Sequence, residues 1–450
     1  MTMKKVLIAN RGEIAVRIIR TLKEMNIASV AVYSSGDADS LHVALADEAY
    51  CIGGPKSADS YLNIDNILQA AIMSKADAIH PGYGFLSETP EFAKRTEELG
   101  LIFIGPSPET MAKMGDKSMA RETMKKAGVP VIPGSDGIVK TKDEVKKLAK
   151  KIIYPIVIKA VSGGGGKGMR FAHNDEDVDK LYDEAKKEAK NSFNDDRLYV
   201  EKYIPKARHI EIQVIGDGKG GAIHLFERDC SIQRNNQKLL EEAPATILSG
   251  KERADITETT RQAIAKLNYR GAGTIEYLYV AEEKRFYFIE MNTRVQVEHT
   301  VSEEVTGIDI IRAQIDVAFN NDIGITQGEV KLSGHAIEAR LNAEDPENRF
   351  MPSPGKIEKL HFGLGRNVRV DTHIYSGYSI PPYYDSMIAK IIVKADNRED
   401  ALFKLKLVLG ETVIEPVKTN LDFQYYLLGH PKVLANDYDI KLLHTENIIE

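Results

Sequence analysis

Residues 286–299, FYFIEMNTRVQVEH, constrain the fold more than any other stretch of the chain. Side chains alternate across an extended strand, and on that period the stretch separates into two files. Ile289, Met291, Val295 and Val297 share one parity, and Glu290, Asn292, Arg294, Gln296 and Glu298 share the other. An apolar file backing a file of acid, amide, base, amide and acid describes a half-buried strand whose polar face meets charge. A second strand-like run, 273–280, precedes it, and Ala281-Glu282-Glu283-Lys284 joins the two. A hairpin centred near Glu283 sets Glu276 opposite Glu290. Carboxylates directly across an antiparallel pair repel each other, so the pairing requires a cation between them. Magnesium takes one or two protein carboxylates and completes its octahedron with water and nucleotide phosphates; Glu276, Glu290 and Asn292 offer such oxygens. A solvated hairpin face would carry the same charges, and on these residues alone the two readings stand level.

Composition narrows the class. With 450 residues the chain has room for roughly three domains of ~150 residues. A net charge of −6 gives no reason to expect nucleic acid or an anionic membrane as partner. Lys146, Lys147, Lys150 and Lys151 punctuate an amphipathic helix as its solvated face. Cys51 and Cys230 are the only cysteines, which excludes a disulfide framework and a cysteine zinc cluster. Residues 6–9 are too short for a signal-peptide core, and no apolar run approaches the ~20 residues of a membrane helix. The expected location is the cytoplasm.

Residues 1 to about 105 alternate apolar runs (6–9, 29–33, 78–80) with helical patterns (14–25, 64–75). This βαβ cadence predicts a parallel sheet with helices on both faces. A dinucleotide site needs several glycines after the first strand; Asn10-Arg11-Gly12-Glu13 has one, which rejects a nicotinamide cofactor. The segment 80–88 follows a strand end, where such sheets place ligands. A helix is expected over 111–126, carrying Lys117. Beyond Gly128-Val129-Pro130 comes a small Lys-rich unit: strand 156–160 with Lys159, the loop from Ser162 to Gly168, and helix 175–190. Four consecutive glycines cost backbone entropy, which makes sense where backbone N–H groups must approach phosphate oxygens. The spacing is not a Walker loop; a flexible linker is the alternative, and a mobile lid over a nucleotide suits both the flexibility and the amides.

Residues 198–204 read as a strand ending at Pro205, a hinge that presents a backbone donor and acceptor to a purine. The run 209–215 alternates, with His209, Glu211 and Gln213 on one face. Polar density over 226–238 predicts a ligand-facing loop. A helix over 309–319 closes this half, and a last unit, 331–450, holds strands 334–341 and 386–394 and helix 398–409. In the first of these strands Ile337, Ala339 and Leu341 take one face and Glu338 and Arg340 the other.

In this order the lysines, glycine loop, hinge and acidic hairpin resemble an ATP-grasp ligase. HPGYGFLSE, SGGGGKGMR, ERDCSIQ, IEMNTRVQVEH and HAIEARLNAEDP resemble the biotin carboxylase family across essentially the whole chain. The resemblance implies a mixed α/β and α+β protein in three parts: a Rossmann-like pre-ATP-grasp domain (1–110), an ATP-grasp domain (111–330) with a mobile lid at about 131–203, and a biotin carboxylase C-terminal domain (331–450). It implies that Lys117, Lys159, the Gly165 and Gly166 amides, Met169, Glu201, Lys202, Tyr203, Ile204, His209, Gln233, Asn236 and Leu278 hold ATP. Glu276 and Glu290 bind magnesium or manganese on the same grounds, with Asn292 beside them. Lys238, Arg294, Gln296 and the Val297 backbone cradle bicarbonate, Glu298 is the general base, and Tyr83 and Arg340 meet the biotin ring.

The implied reaction is ATP-dependent carboxylation, through carboxyphosphate, of biotin on a biotin carboxyl carrier protein. This is the first half-reaction of acetyl-CoA carboxylase in fatty acid synthesis, with carboxyltransferase subunits as further partners and a homodimer as the expected state. Service to a propionyl-CoA or pyruvate carboxylase remains open. No Ala-Met-Lys-Met segment is present, so a separate carrier is expected. One departure stands out: many members place Arg-His before the Gln-Lys pair, whereas this chain has Asn235-Asn236. Asparagine can hydrogen-bond but cannot carry a proton charge. A different ATP-grasp ligase, or a nucleotide sensor without catalysis, is the alternative; the run Arg294 to Glu298 and Arg340 weigh against the first, and intact Glu276, Glu290, Arg294 and Glu298 against the second.

Overall fold

The computed structural model describes residues 4–162 and 168–449; Gly165 and Gly166 of the expected phosphate loop lie outside the described residues. The amino-terminal unit is a five-stranded parallel sheet in the order Glu48–Cys51, Ala28–Tyr33, Lys5–Ile8, Ala78–His80, Ile102–Phe103. Its central strand is apolar on both faces because both are covered. Val6 and Ile8 pack with Ile14, Ile18 and Leu22 of the helix Gly12–Glu24, while Leu7 and Ala9 enter a second core with Val30 and Val32. Asn10 Nδ2 donates to the carbonyls of Pro81 and Tyr83, each at 2.7 Å, which pins the loop carrying Tyr83. Gly82 (φ 62°) makes that approach feasible: a Cβ there would lie 2.9 Å from the Asn10 amide.

The helix expected over 111–126 is two helices, Pro108–Gly115 and Lys117–Ala127. Asp116 interrupts them with extended backbone, and its carboxylate caps the second by accepting from the Met119 amide. Beyond them a three-stranded antiparallel sheet, Met169–Ala172, Ile156–Ala160 and Leu198–Lys202, is backed by the helices Lys142–Ile152 and Asp175–Phe193.

An eight-stranded antiparallel sheet dominates the rest. Its order is Arg285–Asn292, Arg270–Val280, Arg208–Asp217, Ala222–Arg234, Gln237–Ala243, His335–Asn342, Met387–Ala395, Val368–Thr372. The sheet runs through the boundary expected at 330, with Leu240 opposite Ala339 and Glu241 opposite Glu338.

Two expectations fail here for physical reasons. The loop expected over 226–238 is a hairpin: Ala222–Arg234 turns through Asn235 (φ 51°) and Asn236 (φ 65°) into Gln237–Ala243. Two successive positive φ values make a type I′ turn, a conformation asparagine tolerates. The strand expected through residue 298 ends at Asn292, and 293–298 is irregular, leading into the helix His299–Thr306. A bulge at Ile289 also breaks the parity. Tyr277 faces Phe288 but Glu276 faces Glu290, so the extra residue brings the two carboxylates opposite each other. Met291 and Val295 enter cores, whereas Ile289 and Val297 line the central cavity.

Candidate active site

Strand register sets the electrostatics. Glu290, Glu276, Glu211 and Arg228 are consecutive cross-strand partners over four strands. Three acids in one row repel each other unless cations intervene, and the inner two receive them. Lys238, from the hairpin beside Asn236, lies 3.1 Å from Glu276 and 2.6 Å from Glu298, and also contacts Glu211. The Arg228 guanidinium, fully buried, donates to Glu211 at 3.1 Å and to the Gln213 and Gln296 side chains at 2.7 Å. His209 Nε2 is 3.0 Å from both Glu211 and Glu276. Burial disfavours the imidazolium, but Glu276 and Glu211 outweigh it and raise His209 to about 9.

Burial alone would lift Glu211 and Glu276 too, yet Lys238 and the other neighbouring cations hold both below the usual carboxylate range. The outermost acid behaves oppositely. Glu290 is raised by burial and then by Glu276, and Lys117 stands off at 3.8 Å. An acid pair that is cation-poor on one side only, at the mouth of a cavity, fits a divalent ion between Glu276 and Glu290. Asn292 belongs to this cluster as an orienting group: its Nδ2 donates to Glu276 at 2.7 Å and its Oδ1 accepts from Arg294 at 3.0 Å.

The cavity, about 920 Å³, takes its wall from all three parts of the chain. At its closed end Glu298 is gripped by Lys238 at 2.6 Å and by Arg340 Nη2 at 2.9 Å. Burial opposes its charge, but Lys238 and Arg340 win and hold it ionised. Arg340 reaches it from across the sheet while its Nε donates to Glu241 at 2.5 Å. Gln296 donates to Glu276 at 2.8 Å, and Arg294 is anchored on Glu88 at 2.9 Å. Tyr83 also lines the wall, its hydroxyl donating to Glu13.

At the open end Lys117, Lys159, Met169, His209, Gln233, Asn236, Leu278 and Glu290 line the same cavity. Gln233 Nε2 lies 3.0 Å from His209 Nδ1, and Lys159 donates to Glu201 at 2.6 Å. Glu201, Lys202, Tyr203 and Ile204 are not brought to the cavity wall. Strand pairing with Ile156–Ala160 ties up the first two, and the Lys202 and Tyr203 amides donate to the Pro133 and Pro155 carbonyls at 2.7 and 3.0 Å. The Ile204 side chain packs beside Leu278, which does line the cavity. Sequence reasoning gave no role to Arg228, Glu211, Glu88, Glu241, Glu13 or Lys390. The alternation at 209–213 does mark Glu211; Arg228, Glu241 and Lys390 depend on register between distant strands, and Glu13, in the helix Gly12–Glu24, and Glu88, in the loop after Ala78–His80, on how the amino-terminal unit packs against the large sheet.

The architecture and the comparisons agree. Residues 2–111 match the family description "Biotin carboxylase, N-terminal domain", 116–326 "Carbamoyl-phosphate synthase L chain, ATP binding domain", and 338–445 "Biotin carboxylase C-terminal domain". Biotin carboxylase 1 of Bacillus subtilis is 50% identical over 446 residues, 99% of each chain. A Campylobacter jejuni biotin carboxylase, solved as a β,γ-ATP complex, superposes with a TM-score of 0.93 at 50% identity, covering 98% of this chain and 99% of that one. The biotin carboxylase domain of Hydrogenobacter thermophilus 2-oxoglutarate carboxylase, solved with MgADP, ADP and bicarbonate, gives 0.92 at 44% identity over 99% and 98%. With three matched segments in order and half of all positions shared with full-length relatives, the chain belongs to the biotin carboxylase family of ATP-grasp ligases.

Proposed function

We propose that the protein uses ATP and bicarbonate to carboxylate biotin on a separate carrier protein. The observation that carries this reading is the meeting of Lys238, Glu298 and Arg340 at one end of a cavity whose other end holds Lys117, Lys159 and the Glu276–Glu290 pair. ATP occupies the open end, with Met169, Leu278 and Ile204 about the purine and Lys117, Lys159, His209, Gln233 and Asn236 toward ribose and phosphates. The Gly165 and Gly166 amides are assigned to the phosphates from sequence alone. Glu276 and Glu290 would hold magnesium or manganese, which would supply charge neutralisation on the phosphate oxygens.

Bicarbonate enters between Lys238, Arg294, Gln296 and the Val297 amide. Its negative charge draws Lys238 donors away from Glu298, which raises the proton affinity of that carboxylate when it must accept the bicarbonate proton. The freed oxygen attacks the γ-phosphorus, the bond to ADP breaks, and carboxyphosphate forms. Its breakdown gives carbon dioxide and phosphate; phosphate removes the ureido N–H proton of biotin, and the nitrogen attacks carbon dioxide. Arg340 stabilises the oxyanion that develops on the ureido carbonyl, and Tyr83 borders the ring.

Acetyl-CoA carboxylation in fatty acid synthesis, completed by carboxyltransferase subunits, is the proposed setting. The 2-oxoglutarate carboxylase relative makes the acceptor a matter for assay. The divisions 1–110, 111–330 and 331–450 are proposed as functional units, the last two sharing the eight-stranded sheet. A homodimer fits the exposed Leu364, Phe403 and Leu407 on the last unit, and a cytoplasmic site is proposed. No helix among the described residues is long and apolar enough to cross a membrane. The test is magnesium-dependent ADP release with bicarbonate and free biotin each added or withheld. Stimulation requiring both supports the reading; turnover on another acid without bicarbonate moves the protein to a neighbouring ATP-grasp activity.

A further inference from the structure

Lys390 lies in the strand Met387–Ala395, directly opposite Arg340 on one side and Asp371 on the other. It is fully buried. A cation beside a cation in an antiparallel pair is unfavourable, and replacing a buried ion pair by apolar side chains of similar volume is often neutral or stabilising. Fold stability is therefore a poor reason for a lysine here. Its contacts suggest another. Nζ donates to the Val297 carbonyl at 2.7 Å and lies 3.3 Å from Glu13 and 4.0 Å from Asp371.

Val297 stands in the irregular segment that carries Gln296 and Glu298, where no ladder hydrogen bonds fix the backbone. The turn is closed by the His299 N–H donating to the Gln296 carbonyl at 3.4 Å, and two buried side chains add to that bond. His299 Nδ1 is 2.7 Å from the Gln296 carbonyl, an acceptor, so this nitrogen must carry the proton. Lys390 holds the next carbonyl along. The peptide groups on both sides of Val297 are thus clamped, and with them the direction of the Val297 N–H and the start of the Glu298 side chain. The clamp continues outward, because Glu13, which steadies Lys390, also accepts from the Tyr83 hydroxyl.

We propose that Lys390 is a positioning residue for carboxylation. Its ammonium fixes the Val297 carbonyl, so that the Val297 amide and the Glu298 carboxylate meet bicarbonate in one geometry, and Glu13 links this clamp to the Tyr83 wall. The inference rests on the function proposed above and adds a residue that touches no substrate.

The test compares the whole protein with Lys390→Met, and with the double variant Lys390→Met/Glu13→Gln, which removes both charges so that neither is buried alone. Thermal melting by circular dichroism establishes folding. The expected result is a split: the KM for bicarbonate rises and kcat falls, each about tenfold or more, as misplacing reacting groups by an ångström does, while the KM for MgATP stays within about twofold. A folded variant with unchanged bicarbonate KM and kcat overturns the proposal, as does an equal rise in both KM values. Wild-type protein that turns over ATP without bicarbonate overturns the functional reading itself, and is seen before any variant is made.

Discussion

At the closed end of the cavity Lys238 and Glu298 are paired, with 12% and 2% of their side chains exposed; at the open end Lys117 and Glu290 stand 3.8 Å apart with 38% and 40% exposed. Lys238 and Glu290 belong to the same sheet and both ends concentrate charge, yet one is satisfied by the protein and the other waits for ligand charge. At the closed end the dipoles and charges are already oriented, so little reorganisation is needed when charge develops in the reaction. The open end has an acid row one cation short, which suits a site that must admit and release a nucleotide with its metal.

Lys238→Met breaks that contrast hardest. It strips Glu211, Glu276 and Glu298 of their shared cation, and losing one partner of a buried charge cluster costs about 3–5 kcal/mol. Denaturant unfolding should show that loss together with abolished turnover. Glu298→Gln removes the proton acceptor but keeps the shape, so kcat should fall by about 10²–10⁴ in protein that still binds MgATP, read by steady-state ADP release and nucleotide titration.

Glu290→Gln sharpens the comparison by acting in the opposite direction on stability. Glu290 is raised in the folded state by burial and by Glu276, so the fold binds its proton more tightly than the unfolded chain does. Its ionisation therefore destabilises the metal-free protein as pH rises above the ordinary carboxylate range. The variant should melt at an equal or higher temperature than wild type without metal at pH 7, while its magnesium requirement for ADP release rises about tenfold or more. A lower melting temperature would contradict an acid row short of a cation.

His209 tests the same row by pH. It is raised to about 9 despite burial, by Glu276 and Glu211, from an ordinary value near 6.5. Its stabilisation is then fully present below about pH 6.5 and is lost as pH rises through about 9. Unfolding free energy across that window should slope downward in wild type and flatten in His209→Gln. The smallest effect is expected from Asn236→His. The site keeps a polar group at the hairpin tip, but histidine must adopt the positive φ of the turn, which costs about 1 kcal/mol, measurable by chemical denaturation.

The sequence made the parallel sheet and the helix Gly12–Glu24 legible because apolar period is a local signal, and the helix Arg398–Glu411, apolar on more than one face, because the polar run from Asn397 to Asp400 marks its capped start. It also placed Glu276 opposite Glu290, since the turn 281–284 is short and polar. That pairing holds because the bulge at Ile289 adds one residue to the strand, and the same bulge sends Ile289 to the cavity instead of the core. Lys238, Glu298 and Arg340 could be named from motifs, but nothing local shows that Arg340 reaches Glu298 from a strand about 100 residues beyond Lys238. Arg228, Glu241 and Lys390 stayed hidden for that reason: each owes its position to cross-strand register. The hairpin at 235–236 was hidden by its polarity, which reads as loop in sequence and is strand in space.

The most direct test of the account is transfer of isotopic label from bicarbonate to biotin in the presence of MgATP, run in parallel on wild type and Glu298→Gln. The account predicts labelled carboxybiotin and stoichiometric ADP from wild type and neither from the variant. ADP formed by wild type without bicarbonate, or label transferred equally well by Glu298→Gln, would contradict it.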